Sequence, residues 1–446
     1  MNRREFMLGA AALTGCAAES SSAQAAEKKS VDEIVLNGPS LEFSPNVSGM
    51  FDIWLKWTFS DGVEDARIEV VHASGVTGLS FNQRNLPGWH FAGTFALAQD
   101  SEILATNRSA QDPKPLAPPK GFEEVRLVPS GPRTVRLAAH EGFSVCELDV
   151  GDTLLFTMAD GRVRTIELTG TSSDVLERKD GFHVTKYSFT QSYRIDGVER
   201  SFTYVAPSDD FVNAVPFEVD GLDFYPDAVL DSYGDAGGFL SENGYRYIAA
   251  TCRPMRRARL VLQDRSLRLV PARVRACFAG AERPLQAKNC YDGRNCWAGP
   301  TCDDPANAGE THCGLDVNMP GSTPVFSPLD FQEQRYLSRT TRGDANNRWR
   351  GIRRWSADEF WWFQCHHIDH VLKEENVPIA AGERFALSGA QWCGDFTHSH
   401  FNLRVFRRTG EIDGLPAWES HWLNPGLFFR QMRADAEKPT DDRKQG

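Results

Sequence analysis

The sequence predicts a mainly β protein in which two N-terminal β-domains precede a third domain of different composition. From Phe51 to Phe59, apolar and polar residues alternate with the period of two that marks a half-buried strand. Asp160-Gly161 and Asp196-Gly197 each separate two strand-like segments, and an Asp-Gly pair signals a hairpin because glycine supplies the positive φ of the turn. Histidine and cysteine are concentrated from Cys252 onwards, which sets the last part of the chain apart.

The domain boundaries follow from the composition of the connecting segments. The segment from Pro113 to Pro119 is rich in proline, which stiffens the chain and removes backbone donors, so it is the best internal boundary. The predicted division is a signal peptide at 1–26, β-domains at 27–120 and 121–275, a third domain at 276–430 and a charged, disordered tail at 431–446.

Composition and charge restrict the class of protein. The chain has 446 residues, of which 41% are hydrophobic and 24% are charged, and these values are ordinary for a folded soluble protein. Its net charge is -11, whereas a nucleic-acid binder needs clustered lysine and arginine to neutralise phosphates. The sequence therefore argues against nucleic acid as a partner.

The N-terminus has the pattern of an export signal. Arg3-Arg4 begins a twin-arginine sequence, and a short apolar stretch from Met7 to Leu13 follows it. Leu13-Thr14-Gly15-Cys16 resembles a lipobox, which predicts a lipid anchor at Cys16; the alternative is cleavage after Ala23-Gln24-Ala25 to give a soluble form. No later stretch reaches the ~18 apolar residues of a membrane span. We therefore expect an exported protein, either periplasmic or anchored to the envelope.

Eight of the ten cysteines lie between Cys252 and Cys393. In an exported protein, a clustered and even set predicts disulfides, so most of the eight are expected to be oxidised. Cys146 stands apart and is predicted to be a buried free thiol. A structural zinc site at the three cysteines from Cys290 to Cys302 is the alternative, which the missing C-x2-C spacing disfavours.

Six of the eleven histidines fall between His312 and His400, in three groups. The first group contains His312 and Asp316, four positions apart. Two side chains at this spacing share a face of a helix, and an even spacing does the same on a strand, so both residues can reach one ion in either conformation. Gly314 and Val317 argue against the helix.

The histidines of the other two groups are predicted to lie on strands. Apolar residues alternate after His400, so His398 and His400 share one face of a strand. His366 and His367 are adjacent and point to opposite sides of an extended chain, so only one of them is expected at a site. The chain has no H-E-x-x-H motif, so a general base at a metal site would be another histidine or a distant acid.

Three linked motifs resemble those of the lysostaphin/LytM-type zinc metallopeptidases. His312-x-Gly314-x-Asp316, followed by Pro324-Val325-Phe326-Ser327-Pro328, is similar to the first metal motif of this family. His367-Ile368-Asp369 is similar to its middle segment, and His398-Ser399-His400-Phe401 matches its closing H-x-H motif. The resemblance covers about residues 285–408 in the right order and spacing.

The resemblance implies a groove on a small antiparallel sheet, with His312, Asp316 and His400 as the ligands of a zinc ion. It also implies that His367 and His398 are non-ligand histidines that position or deprotonate water and stabilise an oxyanion. Members of the family commonly cut the cross-links or bridges of peptidoglycan, so the implied partner is a peptidoglycan peptide. The alternatives are a non-catalytic cell-envelope binding or regulatory module with the same fold, and a peptidase that acts on proteins.

Residues outside the motifs have structural interpretations. The histidines expected not to be ligands are His366, His370 and His421. The histidines expected to be hydrogen-bonded or at the surface are His72, His90, His140 and His183. The aromatic run Phe360-Trp361-Trp362-Phe363 is expected to be core or groove wall, with a sugar-binding platform as the alternative.

Overall fold

Strands make up 66% of the described chain and helix only 2%, which confirms the predicted mainly β class. The computed structural model describes residues 34–37, 42–60, 66–81, 83, 86–106, 122–177, 186–206, 216–230, 254–268, 314–318, 320–336, 347–389, 392–393 and 396–427. Within these ranges α-helix is limited to a single turn at 425–427, and no helix there is long and apolar enough to cross a membrane. The predicted signal peptide, the Cys16 anchor, the proline-rich boundary and the charged tail lie outside the described residues.

The described strands are numbered in chain order. The first sixteen are β1 (Ile34–Asn37), β2 (Glu42–Phe43), β3 (Gly49–Trp57), β4 (Ala66–His72), β5 (Gly75–Phe81), β6 (Gly88–Leu97), β7 (Glu102–Thr106), β8 (Glu124–Pro129), β9 (Thr134–Ala138), β10 (Ser144–Leu148), β11 (Thr153–Thr157), β12 (Val163–Glu177), β13 (Lys186–Ile195), β14 (Val198–Ala206), β15 (Phe217–Val219) and β16 (Leu222–Val229). The others are β17 (Ala258–Asp264), β18 (Leu315–Asn318), β19 (Pro324–Phe326), β20 (Glu333–Tyr336), β21 (Asn347–Arg354), β22 (Glu359–Val371), β23 (Arg384–Ser388), β24 (Trp392–Cys393), β25 (Phe396–Ile412) and β26 (Leu415–Leu423).

The N-terminal strands pack as the alternating pattern predicts. β3 buries Phe51, Ile53, Leu55 and Trp57 on one face, and β6 and β8 pair with it on either side. A separate four-stranded sheet has the order β2-β7-β4-β5. Buried side chains from both sheets form one hydrophobic core.

Both Asp-Gly pairs form the predicted hairpins. β11 and β12 pair antiparallel on either side of Asp160-Gly161, and β13 and β14 do so on either side of Asp196-Gly197. Asp196 and Gly197 have φ of 49° and 83°, the left-handed values of a tight hairpin turn. The hairpins belong to a five-stranded sheet with the order β14-β13-β12-β11-β9, which shares a core with the four-stranded sheet β10-β17-β16-β15.

One long sheet contains both the first and the last of the described strands. Its order is β1-β8-β3-β6-β26-β25-β22-β21-β20. Neighbours along this path are antiparallel except β6 and β26, which run parallel where Trp89 and His90 lie opposite Ala417 and Trp418. The boundaries predicted at residues 120 and 275 stay predictions, and β8, which follows the first of them, pairs with β3.

The aromatic run of β22 is core on both faces of the strand. Trp361 and Phe363 belong to a hydrophobic cluster that includes residues of β10, β21 and β25. Phe360 and Trp362 belong to a second cluster on the other face, together with Phe406. All four side chains are at most 4% exposed, so none of them is available for a sugar to stack on.

A group of buried and partly buried charges joins segments that are far apart in the sequence. Arg259 is 1% exposed, and its Nε and Nη1 donate to Glu147 Oε1 at 2.9 Å and to Asp227 Oδ2 at 3.1 Å. Arg256 bridges two further carboxylates, 2.7 Å from Asp52 Oδ2 and 2.9 Å from Asp149 Oδ2. We call these six residues the buried charge cluster. No local pattern predicts it, because Asp52 and Arg256 are 204 positions apart.

His90 is buried against the N-terminal core and is neutral there. Its ring stacks on Trp57 with centroids 3.6 Å apart, and its Nε2–H donates to the Leu86 carbonyl at 2.7 Å. Burial lowers the pKa of His90 to about 3, against the hydrogen bond to Leu86 and with a smaller contribution from the charge of Arg404. The prediction that His90 is a hydrogen-bonded histidine is therefore confirmed.

We expect His90 to make the free energy of unfolding fall as the solution becomes acidic. The unfolded chain protonates this residue near pH 6.5, whereas the folded protein does so only at about pH 3, so stability is lost as pH falls through 6.5. The loss between about pH 8 and pH 5 is about 2 kcal/mol. Urea unfolding of wild type and His90→Phe across this range measures it. An equal pH slope in the two proteins would contradict the assignment.

Candidate functional site

Three neighbouring strands carry the residues that the motifs single out. β25 lies in the middle, with β22 paired antiparallel along one edge and β18 along the other. The segment of β18 is extended, which excludes the helical alternative for Asp316. His398 and His400 lie on β25, as predicted, and they are 4% and 8% exposed.

The register of these strands arranges the residues in two rows across the sheet. In the first row, His400 lies directly opposite His366 on one side and Asp316 on the other. In the second row, His398 lies directly opposite Asn318. Directly opposed residues of an antiparallel pair share a face of the sheet, so each row is a set of neighbouring positions on one face.

The side chain of His367 lies in the second row, next to His398, because β22 has a β-bulge at this residue. On β21, Arg348 is opposite His366 and Asn347 is opposite Ile368, so His367 is the extra residue of the strand. Its φ is 57°, a left-handed value that is strained for a side chain of this size. The ring of His367 consequently lies 4.7 Å from the ring of His398.

The bulge corrects the expectation that only one of the two adjacent histidines lies at the site. That expectation assumed a regular strand, in which successive side chains alternate between faces. The centroid of the His366 ring lies 5.0 Å from that of His400, and His367 lies 6.3 Å from both. The four imidazoles therefore form two close pairs, His366 with His400 and His367 with His398.

The imidazole of His366 is neutral, and the side chain is half-buried. Burial lowers its pKa well below the usual value, and the positive charge of Arg348 adds to this effect. Its Nε2 is buried and has no hydrogen-bond partner within the described part of the chain. A neutral imidazole with an unused ring nitrogen is a form that can bind a metal ion.

Gly314 packs directly against the ring of His400. A Cβ at position 314 would lie 2.3 Å from His400 Nε2 and 2.5 Å from the Phe401 carbonyl oxygen. The side-chain amide of Asn402 approaches the same His400 nitrogen, with Nδ2 at 3.4 Å. The His400 ring is therefore held between a glycine that leaves room for it and an amide that contacts it.

The donor types at this position fit a zinc ion, since imidazole and carboxylate are ordinary zinc ligands. Among the described residues, no three histidine, cysteine, aspartate or glutamate side chains form a complete metal-binding group. His312 lies outside those residues, and Asp316 is described by its backbone alone. The predicted ligand set of His312, Asp316 and His400 therefore stays a prediction, as do the roles of His367 and His398.

The two cysteines whose side chains the structure describes are buried thiols. Cys146 is free, as predicted, and burial raises its pKa to about 12. Cys365 is also free, so it is not among the oxidised cysteines, and the expectation that most of the eight form disulfides stays a prediction. Its side chain points into the core cluster of β22 and β25, and burial raises its pKa well above the usual value. The side chains of the other clustered cysteines lie outside the described residues.

The remaining described histidines have the partners expected of structural residues. His72 Nε2 lies 2.9 Å from Thr77 Oγ1, and His140 Nε2 lies 2.9 Å from Glu359 Oε1. His421 is 1% exposed, with Nδ1 3.2 Å from Glu147 Oε1 at the edge of the buried charge cluster. His183 and the side chain of His370 lie outside the described part.

Gly314→Ala is expected to displace the His400 ring and lower the zinc content of the purified protein. Overpacking of this kind costs about 1–3 kcal/mol of stability. Gly170→Ala is the matched control, because a Cβ there meets nothing within 4 Å and should change stability by less than about 0.5 kcal/mol. Metal analysis and urea unfolding measure both variants. Wild-type zinc content and stability in Gly314→Ala would contradict the packing.

The chain is similar to several solved protein structures. No protein-family model matches the chain, and no curated protein matches it. The catalytic domain of the prophage-encoded M23 protein EnpA from Enterococcus faecalis is 16% identical over 26% of this chain and 81% of its own, with a TM-score of 0.18. Lysostaphin is 18% identical over 25% of this chain and 43% of its own, with a TM-score of 0.18.

A zinc-containing peptidase from Vibrio cholerae is 13% identical over 62% of this chain and 83% of its own, with a TM-score of 0.21. The match to lysostaphin covers less than half of the length of that protein. All three TM-scores are low, so the proposals below rest on the residues and geometry of this chain.

Proposed function

We propose that this chain is an exported zinc metalloendopeptidase that hydrolyses peptide bonds in peptidoglycan cross-links. The observation that carries the proposal is the grouping of four imidazoles into two close pairs on neighbouring strands, next to the backbone of Asp316. Structural histidines elsewhere in the described chain have separate partners, whereas these four rings contact one another. Such a concentration is typical of a metal-dependent active site.

In this proposal the first row holds the metal. His312, Asp316 and His400 are the proposed ligands, which leaves a fourth position open as catalytic zinc sites require. When bound, zinc would lower the pKa of a water molecule to about 7 and polarise the peptide carbonyl. Gly314 and Asn402 fix the ring of His400, and an outer contact of this kind orients a ligand.

The second row supplies the acid–base groups. His367 and His398 lie 4.7 Å apart, so both rings can reach one water or one carbonyl oxygen beside the metal position. One of them would accept the proton of the attacking water, and the other would donate a hydrogen bond to the developing oxyanion. The left-handed backbone of His367 costs about 1–3 kcal/mol, and strain of this kind is often found at functional sites.

The proposed substrate and location rest on the sequence. The three motifs from His312 to Phe401 resemble those of peptidases that cut peptidoglycan peptides. The twin-arginine start and Cys16 support export, with or without a lipid anchor, to the compartment where peptidoglycan is found. Incubation of the zinc-loaded protein with cross-linked muropeptides, followed by mass spectrometry of new termini, tests the reaction. If the protein binds muropeptides but produces no new termini, it is a binding module and not an enzyme.

Asp316→Ala and His400→Ala are expected to lose the single zinc ion that wild type retains. Each variant removes a proposed ligand, so the remaining side chains are expected to hold the ion too weakly to retain it through dialysis. His72→Ala is the control, because this buried histidine bonds Thr77 in the separate N-terminal sheet. Zinc per protein molecule is measured after folding has been verified by circular dichroism. One zinc ion per molecule of His400→Ala would contradict the assignment of His400 as a ligand.

A further inference from the structure

We propose that His366 is an additional protein ligand of the metal ion, on the side of His400 opposite to Asp316. This inference rests on the metal site of the proposed function. It concerns a residue that the motifs leave outside the ligand set, and the structure brings it to the first row. With His312, Asp316 and His400, it would raise the number of protein donors from three to four.

The register supplies the first argument. His366, His400 and Asp316 occupy directly opposed positions on three consecutive strands, β22, β25 and β18. Cβ atoms of directly opposed residues are roughly 4.5–5.5 Å apart, so an ion bound to the ring of His400 is within reach of His366. The backbone position of Asp316 lies on the other side of His400.

The distances between the rings supply the second argument. Two imidazoles on one tetrahedral zinc have ring centroids roughly 5 Å apart, because each Zn–N bond is about 2.0–2.1 Å long. The centroids of His366 and His400 are 5.0 Å apart, which fits a shared ion. His367 is 6.3 Å from His400, a separation that would require the ion to lie almost on a line between the two rings. The geometry thus selects His366 over His367 as the partner of His400.

The burial of the His366 nitrogen supplies the third argument. Nε2 is buried and accepts or donates no hydrogen bond within the described residues, and an unsatisfied buried polar atom costs about 1–3 kcal/mol. A metal ion in the first row would satisfy this atom. Cys365 on one side is a buried thiol in the core and His367 on the other belongs to the second row, so the adjacent residues do not compete for the position.

A fourth protein donor changes what the metal site does. Four protein ligands are typical of structural zinc, whereas catalytic zinc keeps one position for water or substrate. His366 would therefore tighten metal binding and occupy the position that water needs. Before a peptide is cut, His366 would have to leave that position or the coordination number would have to rise to five.

Zinc affinity of the full-length chain, measured by competition with a chelator, tests the proposal. We expect His366→Ala to weaken zinc binding by more than about 100-fold, because loss of a mere outer contact typically costs about 10–100-fold. His72→Ala is the control for removal of a buried histidine and should keep wild-type affinity. A loss of 100-fold or less in folded His366→Ala overturns the ligand assignment.

The failure of this inference can be separated from failure of the proposed function. If His400→Ala loses zinc while His366→Ala keeps wild-type affinity, His366 is not a ligand and the three-ligand site stands. If His400→Ala itself binds zinc as tightly as wild type, the first row does not hold the metal and both proposals are wrong.

His366→Cys keeps the proposal testable if the alanine variant does not fold. Loaded with Co²⁺, this variant should show a thiolate-to-cobalt charge-transfer band in the near ultraviolet that Co²⁺-loaded wild type lacks, because a ligating cysteine binds as the thiolate. His72→Cys is the matched control for an added cysteine and should show no such band. Identical difference spectra for the two cysteine variants would overturn the proposal.

Discussion

Replacing His367 or His398 with alanine is expected to lower turnover about 10²–10⁴-fold while zinc content stays near that of wild type. The expectation follows from the second row, in which the two rings lie 4.7 Å apart and His367 is 6.3 Å from His400. A residue that moves a proton without touching the metal should affect the rate far more than metal retention. Cleavage of a cross-linked peptide and zinc per molecule are measured on the same preparations.

The left-handed backbone of His367 allows a sharper version of this test. Asparagine and glycine tolerate the φ of 57° better than alanine does, so His367→Asn and His367→Gly remove the imidazole with less strain. His367→Gly should unfold at a urea concentration no lower than that of wild type and still be inactive. Wild-type turnover in any folded, zinc-loaded His367 or His398 variant would contradict the proposed mechanism.

Arg259→Met is expected to lower the free energy of unfolding by about 3–5 kcal/mol. It leaves Glu147 and Asp227 buried without their shared cation, and their side chains are 2% and 4% exposed. Burial raises the pKa of Glu147, but the charge of Arg259 and the Met255 backbone N–H outweigh burial and hold it at about 2. Burial is the larger effect at Asp227, whose pKa is raised. Urea unfolding measures the loss.

Arg194→Met is the matched control for Arg259→Met. Arg194 also pairs with two carboxylates, Glu167 and Glu199, but the pairs are exposed and screened by water, so the control should change stability little. The double variant Glu147→Gln, Arg259→Met should recover part of the loss, since it removes a charge together with its partner. Equal effects of the Arg194 and Arg259 variants would show that the buried charge cluster contributes no more than a surface pair.

Acid should weaken the same cluster. The pKa of Glu147 is lowered from about 4.5 in the unfolded chain to about 2 in the folded protein, so its stabilising contribution is complete above pH 4.5 and is lost as pH falls towards 2. Between about pH 3 and pH 4.5 this loss adds to that of His90, whereas from pH 6.5 down to about pH 4.5 only His90 acts, and below about pH 3 only Glu147 does.

Local features of the fold could be predicted because they depend on neighbouring residues. The alternation in β3 and the two Asp-Gly hairpins require only the side-chain period and the turn conformation, and both are confirmed. The strand over His398 and His400 was predicted for the same reason. Pairing between distant strands, such as β10 with β17, leaves no such local trace, because it depends on the register of the folded sheet.

The part of the site that the sequence did not predict depends on one shift of register. His366 and His367 lie on β22, and the pairing of β22 with β21 shifts by one residue at His367. A shift of one residue moves a side chain to the other face of the sheet. A pattern of period two cannot show this. The buried thiol of Cys365 was missed because membership of a cysteine cluster says nothing about which side chains point into the core.

The parallel contact between β6 and β26 has a consequence for the order in which the chain can fold. The two strands are separated by more than 300 residues of sequence, since β6 ends at Leu97 and β26 begins at Leu415. Contacts between residues so far apart in the sequence form late in folding, because the entropy of closing the loop between them must be overcome first. Until β26 arrives, one edge of β6 is unpaired and open to other strands. Pairing with β26, the last of the described strands, therefore covers an edge of β6 to which strands of other molecules could otherwise add.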